Sequence, residues 1–209
     1  MFITAVKVAL VEALNAAFNA LGSRASSTTK DLTPNSVTIE YPLEMVSWPA
    51  VFVQFRPSRV QWSGLWPDEY YTISGLTVSG SQGVQIARVG YFEGNIDLQI
   101  LAMHSEERDR LWDGLMNVVL MDPSSPASQA FYDSLNDNDL LGITLLPSTI
   151  INVGDTVSPG TPFSPEELTY EASIRIQCVG EFYELKYNYN VPTVTMVNVS
   201  GEQVINTTL

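Results

Sequence analysis

The sequence predicts an α+β fold: a mixed, largely antiparallel sheet with helices packed on one face. Three observations carry this. The chain opens on an amphipathic helical run, and strand-like runs then follow as a block. Helical pattern returns once, after residue 104, rather than alternating strand by strand as in a parallel α/β sheet. Within Asn95-Ile96-Asp97-Leu98-Gln99-Ile100, apolar and polar residues alternate strictly, so that strand has one buried and one wet face.

Each element has its own local reason. Over residues 4–21, Val6, Leu10, Leu14, Phe18 and Leu21 recur at helical spacing on an alanine-rich background. Thr4 can cap the start, and Gly22 stands where a left-handed stop would fall. Residues 23–36 are a polar loop. Strands are predicted at 37–41 and at 50–55, the second bounded by Pro49 and Pro57. The stretch 57–67, with Trp62 and Trp66 among Gly and Pro, reads as a loop. Residues 70–78 and 84–89 read as a hairpin turning at 79–83, and 91–103 as the strongest strand.

Ser105 is placed as the N-cap of a helix ending near Met121, before Asp122-Pro123. Glu106 and Glu107 occupy its first turn, where the helix dipole favours anions. Leu111, Leu115, Val118 and Val119 form its apolar stripe, and Glu106 can pair with Arg110 one turn on. A shorter helix follows at 127–135, led in by Pro126. The chain continues as strand 142–153, loop 154–165 and strand 167–179. Residues 1–180 are thus expected to form the α+β domain, and 181–209 an extended arm or edge strand punctuated by Tyr183, Tyr187 and Tyr189.

Composition narrows the function. Of 209 residues 45% are apolar and only 16% charged, against about 25% in an average domain. A chain this long buries roughly 70% of its unfolded surface and needs no disulfide or metal to fold. Ten bases against 23 acids give a net charge of −13. Residues 93–155 alone hold eleven acids and two bases, a local balance of −9. Phosphate neutralisation leaves a basic footprint, so no direct nucleic-acid partner is expected. Such an acidic stretch reads either as a solvated face or as a surface for a basic partner. Lys7, Glu12 and Asn15 interrupt the opening apolar run, so neither a secretion signal nor a membrane span is expected there.

Catalytic constellations are scarce. His104 is the one histidine, which excludes a multi-histidine metal site within one chain. Its neighbours Ser105 and Glu106 lack the turn that presents a nucleophile. Asp137-Asn138-Asp139 departs from a calcium loop, with Leu141 and Ser148 at ligand positions. No phosphate-cradling glycine motif occurs. Cys178, the one cysteine, sits in an apolar strand and reads as a buried small hydrophobe. The chain is therefore expected to be no enzyme, with no catalytic residues, no metal and no cofactor.

From Gly90 to Leu111 (GYFEGNIDLQILAMHSEERDRL) the letters resemble the strand-then-helix segment of tail terminator, or tail completion, proteins of long-tailed bacteriophages. The N-terminal amphipathic helix and the strand Pro49–Phe55 precede it in similar order, so the likeness covers residues 4–121 in element order and Glu93–Leu111 in letters. The resemblance implies a virion structural protein: a hexameric ring that caps the tail tube and joins it to the head connector. Its implied partners are further copies of itself, the tail tube protein and the connector protein. The Trp62/Trp66 loop, the 154–165 loop and the C-terminal arm are additions to that pattern.

Interface residues are then the expected functional ones. Trp62 and Trp66 are candidate anchors, since aromatics dominate protein interfaces. Glu106, Glu107 and Asp109 are a candidate acidic contact face, and Tyr183, Tyr187 and Tyr189 would hold the arm. The alternatives are another tail or neck part (tube, sheath-end cap or stopper) and, from a different class, a carbohydrate-binding or hydrolase module using the tryptophans beside acidic side chains.

Overall fold

The computed structural model describes residues 2–22, 33–62, 85–138, 141–162, 164, 166–187, 195–199 and 202–206. The fold is α+β, with helices against one face of a mixed sheet. Helix α1 (Phe2–Gly22) is followed by strand β1 (Ser36–Thr38) and a single 3-10 turn at Met45–Ser47. Strands β2 (Ala50–Trp62) and β3 (Gln85–Ala102) come next, then helix α2 (Ser105–Asp113), a π-helical segment (Gly114–Leu120) and helix α3 (Pro126–Asn136). Strands β4 (Leu141–Pro159), β5 (Leu168–Tyr187), β6 (Thr195–Val199) and β7 (Glu202–Asn206) complete the chain.

The main sheet has the order β1-β2-β3-β5-β4. The short β1 lies parallel to β2, and β4 lies antiparallel to β5. Contacts between the central strands also run in opposite directions. Arg56 meets Asp97 while Ser58 meets Glu93, and Arg175 meets Asp97 while Cys178 meets Gly94.

Alternation decides the two faces. Val51, Val53 and Phe55 of β2, Phe92, Ile96, Leu98 and Ile100 of β3, and Ala172, Ile174, Ile176 and Cys178 of β5 all point into one core. Helix α1 supplies Val6, Leu10, Ala13, Leu14, Ala17 and Phe18 from its expected stripe. Its alanines allow close approach to α3, which buries Phe131 and Leu135. By length and hydropathy alone α1 is long and apolar enough to cross a bilayer, but its apolar stripe is buried in the protein core. Phe2 pins the start of the helix, stacked on Phe182 at 4.5 Å and edge-on to Phe55 at 5.8 Å.

Several boundaries differ from expectation for identifiable reasons. Strand β2 does not stop at Phe55 but passes Pro57 to Trp62, so residues 57–62 are strand rather than loop. β1 pairs only with Ala50–Phe52, so from Val53 onward β2 lies at the edge of the described sheet, where a proline forfeits no ladder bond. Strand β3 runs unbroken through Gly90, joining what reads as two strands. The N-cap of α2 is His104, in extended backbone, and Ser105 is the first helical residue.

After Asp113 the helix widens: the Met121 N–H reaches back five residues to Met116 O at 2.9 Å. That wider turn puts Leu115, Val119 and Leu120 into the core, where the regular stripe had Leu115, Val118 and Val119. The Val118 side chain lies outside the described residues. Helix α3 begins as expected, with Pro126 in its first turn and the Ser125 hydroxyl accepting from Ala127 N at 3.2 Å.

β4 extends through Gly154 to Pro159, so the expected loop starts later. Gly154 is not a breaker but a bulge residue at φ 120°, at the second of two register shifts against β5. At the first shift Thr149 Oγ1 accepts from Gln177 N at 2.9 Å and donates to Leu146 O at 2.6 Å, satisfying backbone groups the bulge exposes. Likewise β5 passes Gly180 to Tyr187.

The chain divides into two compact units. One holds Met1–Val60 with Tyr91–Phe182 and contains the core above. The other holds Gln61–Gly90 with Tyr183–Leu209, whereas the sequence reading set 181–209 apart by itself. Within that second unit β6 and β7 pair antiparallel, Thr195 opposite Asn206 and Val199 opposite Glu202.

Gly180 is a point of close packing. A Cβ there would stand 2.2 Å from Gly142 O and 2.5 Å from Phe92 Cζ. At Gly142 it would meet only the flexible Glu181 side chain, at 3.3 Å. Gly180→Ala should therefore cost about 1–3 kcal/mol, and Gly142→Ala less than about 1 kcal/mol. Urea unfolding of the two variants checks the ordering.

Candidate interaction surface

The outer face of the sheet carries a row of side chains across four strands. Asp97 of β3 stands on the expected wet face, yet its side chain is only 4% exposed. Two guanidinium groups cover it. Arg175 of β5 donates from Nε to Oδ1 at 2.6 Å and from Nη2 to Oδ2 at 3.2 Å. Arg56 of β2 places Nε 3.3 Å from Oδ2 and donates from Nη2 to Gln54 Oε1 at 3.1 Å. Ile151 of β4, directly opposite Arg175 in the ladder, completes the row.

The charges make chemical sense in this order. A carboxylate removed from water needs compensating cations and hydrogen bonds. The planar fork of Arg175 satisfies both Asp97 oxygens at once. That bond and the Asp97 charge push the Arg175 guanidinium above its already high ordinary range, so it stays cationic. Arg56, with a side chain 63% exposed, adds a second cation, leaving the triad at +1. The described contacts of Arg56 and Arg175 use Nε and Nη2.

Exposed apolar side chains also line β4, the outermost strand of the sheet: Ile151, Val153 and Val157 are each at least half exposed, Ile151 on the outer face opposite Arg175 and Val157 on the other face opposite Tyr170. Native edge strands usually carry charge or are covered, because an open edge templates pairing with another chain. Here the described protection is the bulge at 147–150, Gly154 and one acid, Asp155. At the β1 end the outer face is closed instead by the 39–48 segment. Trp48 is buried there, donating from Nε1 to Pro42 O at 3.2 Å, with Tyr41 edge-on to Phe52 at 6.1 Å. Burial, and then the nearby Glu171 charge, raise the Tyr41 phenol above its usual value.

Of the candidate acidic residues on α2, Glu106 and Asp109 are exposed, with part of their charge matched internally. Glu106 pairs with Arg110 at 2.6 Å, as foreseen. Asp109 pairs with Arg108 at 2.6 Å, and Arg108 also reaches Asp155 of β4 at 3.6 Å. Glu107 is half-buried beside His104 in an open cavity of about 340 Å³. Thr33, Asn35, Pro49, Glu106 and Arg110 line the rest of that cavity. Among the described residues no group of three or more His, Cys, Asp or Glu could hold a metal ion.

Trp62 ends β2 with 47% exposure. Trp66 and Tyr189 lie outside the described residues; Tyr183 and Tyr187 belong to β5, but their side chains also lie outside them. Among the described side chains, none of the tryptophan or tyrosine candidates stands in the Asp97 row. That row was missed in the sequence, although a signal was present. Asp97 between Ile96 and Leu98, and Arg175 between Ile174 and Ile176, are opposite charges at the wet positions of otherwise apolar strands.

Cys178 is buried with Sγ 3.6 Å from Gly94 O, and loss of hydration pushes its thiol up to about 12. The neutral form is the one folding favours. Its contribution to stability is whole below the ordinary thiol range of about 8.5 and is lost as pH climbs from there toward 12. A disulfide reagent at pH 8 should therefore label Cys178 only after denaturant unfolds the chain. Labelling of the native protein at a free-thiol rate would contradict this burial. For the triad, Arg175→Met should lower the melting temperature more than Arg56→Gln does, because it strands a buried carboxylate. Adding Asp97→Asn to Arg175→Met should recover part of the loss, a thermal double-mutant cycle being the measurement.

Compared with protein-family models and with curated proteins, the chain matches none, so the likeness over Glu93–Leu111 rests on its letters and element order.

Proposed function

We propose that this chain is a structural subunit of a bacteriophage virion, a tail terminator that closes as a ring on the tail tube and meets the head connector. The single observation that carries the assembly reading is the exposed apolar edge that Ile151, Val153 and Val157 give the outermost strand β4, on its two faces. A monomer gains nothing by leaving it in water, whereas a neighbouring subunit covering it gains about 25 cal/mol for each Å² removed. The tail-specific part rests on the resemblance of Glu93–Leu111 and on the order of helix, strand, strand and helix before Met121. A ring needs two different, mutually complementary surfaces on each copy. The described unit offers them: an outer sheet face with fixed guanidinium groups, and an acidic helix beside the core-facing side.

A tail tube subunit would use similar surfaces, but its contacts would propagate into a filament rather than close. The half-exposed Trp62 is the observation that favours a glycan-binding module instead.

The test is sedimentation of the purified chain, alone and with tail tubes, followed by electron microscopy of the tube ends. A terminator gives a closed ring of one mass, or tube ends that carry it and stop growing. Ile151→Lys with Val157→Lys should abolish both while leaving the melting temperature nearly unchanged. Filaments of the isolated protein would move the assignment to the tube. Glycan binding lost on Trp62→Ala, from a protein that never joins tubes, would end the virion reading.

A further inference from the structure

The guanidinium pair on the outer sheet face is better built than its internal role requires. Asp97 is already satisfied on both oxygens by Arg175. Arg56 brings a second positive charge to the same carboxylate, and the two side chains remain 63% and 39% exposed. Sharing Asp97 holds both groups in place, so little side-chain entropy remains to be lost when an anion binds. Their printed contacts use Nε and Nη2, and the apolar Ile151 lies opposite Arg175 in the ladder. Arginine next to an exposed aliphatic side chain is a typical anchor for a protein partner.

The same chain carries the matching anion. Glu106, Asp109 and Asp113 recur at i, i+3 and i+7, so they share one stripe of α2, and all three are exposed. This is the densest acidic helix in a chain of net charge −13. The Glu106–Arg110 pair lies at the surface, where such pairs are weak enough to be exchanged, and the Asp109 carboxylate is 61% exposed although Arg108 is largely covered. Leu111 roots α2 in the core on the opposite side of the sheet from Arg56 and Arg175. Donor and acceptor surfaces therefore point different ways, and one copy cannot satisfy itself.

We infer that Arg56 and Arg175, fixed by Asp97, form a carboxylate-docking site for the Glu106–Asp109–Asp113 stripe of a second copy of this chain. The contact is head-to-tail, the kind that generates a ring or a filament rather than a two-fold dimer. This inference rests on the assembly reading above and names the surfaces that make it.

The experiment uses the full-length chain and two variants, one per surface, with association measured by sedimentation. Arg56→Gln removes the more exposed cation and leaves the Asp97–Arg175 fork intact. Asp109→Asn/Asp113→Asn removes two acids and leaves Arg108 its Asp155 partner. Each should weaken self-association about tenfold or more, the scale of a charge-assisted hydrogen bond, with a smaller loss of melting temperature than Arg175→Met causes. Mixed one to one, the variants should form 1:1 pairs and nothing larger, because each retains the one surface the other lost. Self-association should also weaken as salt rises.

Association of Arg56→Gln equal to that of the unaltered chain overturns the inference, and the ring reading survives if rings still cap tubes. Loss with Arg56→Gln but none with Asp109→Asn/Asp113→Asn means that the carboxylate comes from another molecule, which also overturns it. Binding of a short DNA duplex that is lost on Arg56→Gln would make phosphate the ligand and overturn it too. A chain that stays monomeric at all concentrations and joins tubes through other residues would end this inference alone.

Discussion

Removing one face of the sheet from water is the constraint on which the rest of the structure depends. Phe92, Ile96, Leu98 and Ile100 on β3, with Ile174 and Ile176 on β5, are buried against α1 and α3. Each such side chain contributes about 1.5–3 kcal/mol when buried. Because strand side chains alternate, committing these residues inward sends Asp97, Gln99, Arg175 and Gln177 outward. A slip of one residue would exchange the two sets, so the hydrophobic pattern fixes the register and, through it, the outer face.

That outer face is where the surface chemistry concentrates. Among the described residues no helix lies over it, and the 39–48 segment closes one end of it through Trp48 and Tyr41. Further along, charge and apolar area stand together, with the Arg56–Asp97–Arg175 triad beside the exposed Ile151 of β4. In the triad the two cations are immobilised on a buried carboxylate that both of them already engage.

Much of the fold was legible because its signals are local. The α1 stripe, the strict alternation at Asn95–Ile100, the acidic first turn of α2 and the Ser125-Pro126 start of α3 each depend on residues a few positions apart. What escaped was set by partners distant in sequence. Pro57 looked like a stop, yet it lies in a strand with little on its outer side, and Gly154 looked like a loop but is a bulge held by β5. The π-helical turn at Gly114–Leu120 has no periodic signature of its own and follows from how Leu115 and Leu120 meet the core. The triad brings together residues 56, 97 and 175, which strand order alone makes neighbours. Of the anticipated surface residues, Glu106 and Asp109 stand exposed on α2, but with cations already beside them.

The account turns on whether other subunits cover the outer sheet face and the β4 edge. Cryo-electron microscopy of a particle that contains the chain tests this most directly. The account predicts a ring at the end of the tail tube in which a neighbouring copy lies over Arg56, Arg175 and Ile151. A particle in which those residues face open solvent, with the chain attached elsewhere by a different surface, would contradict it.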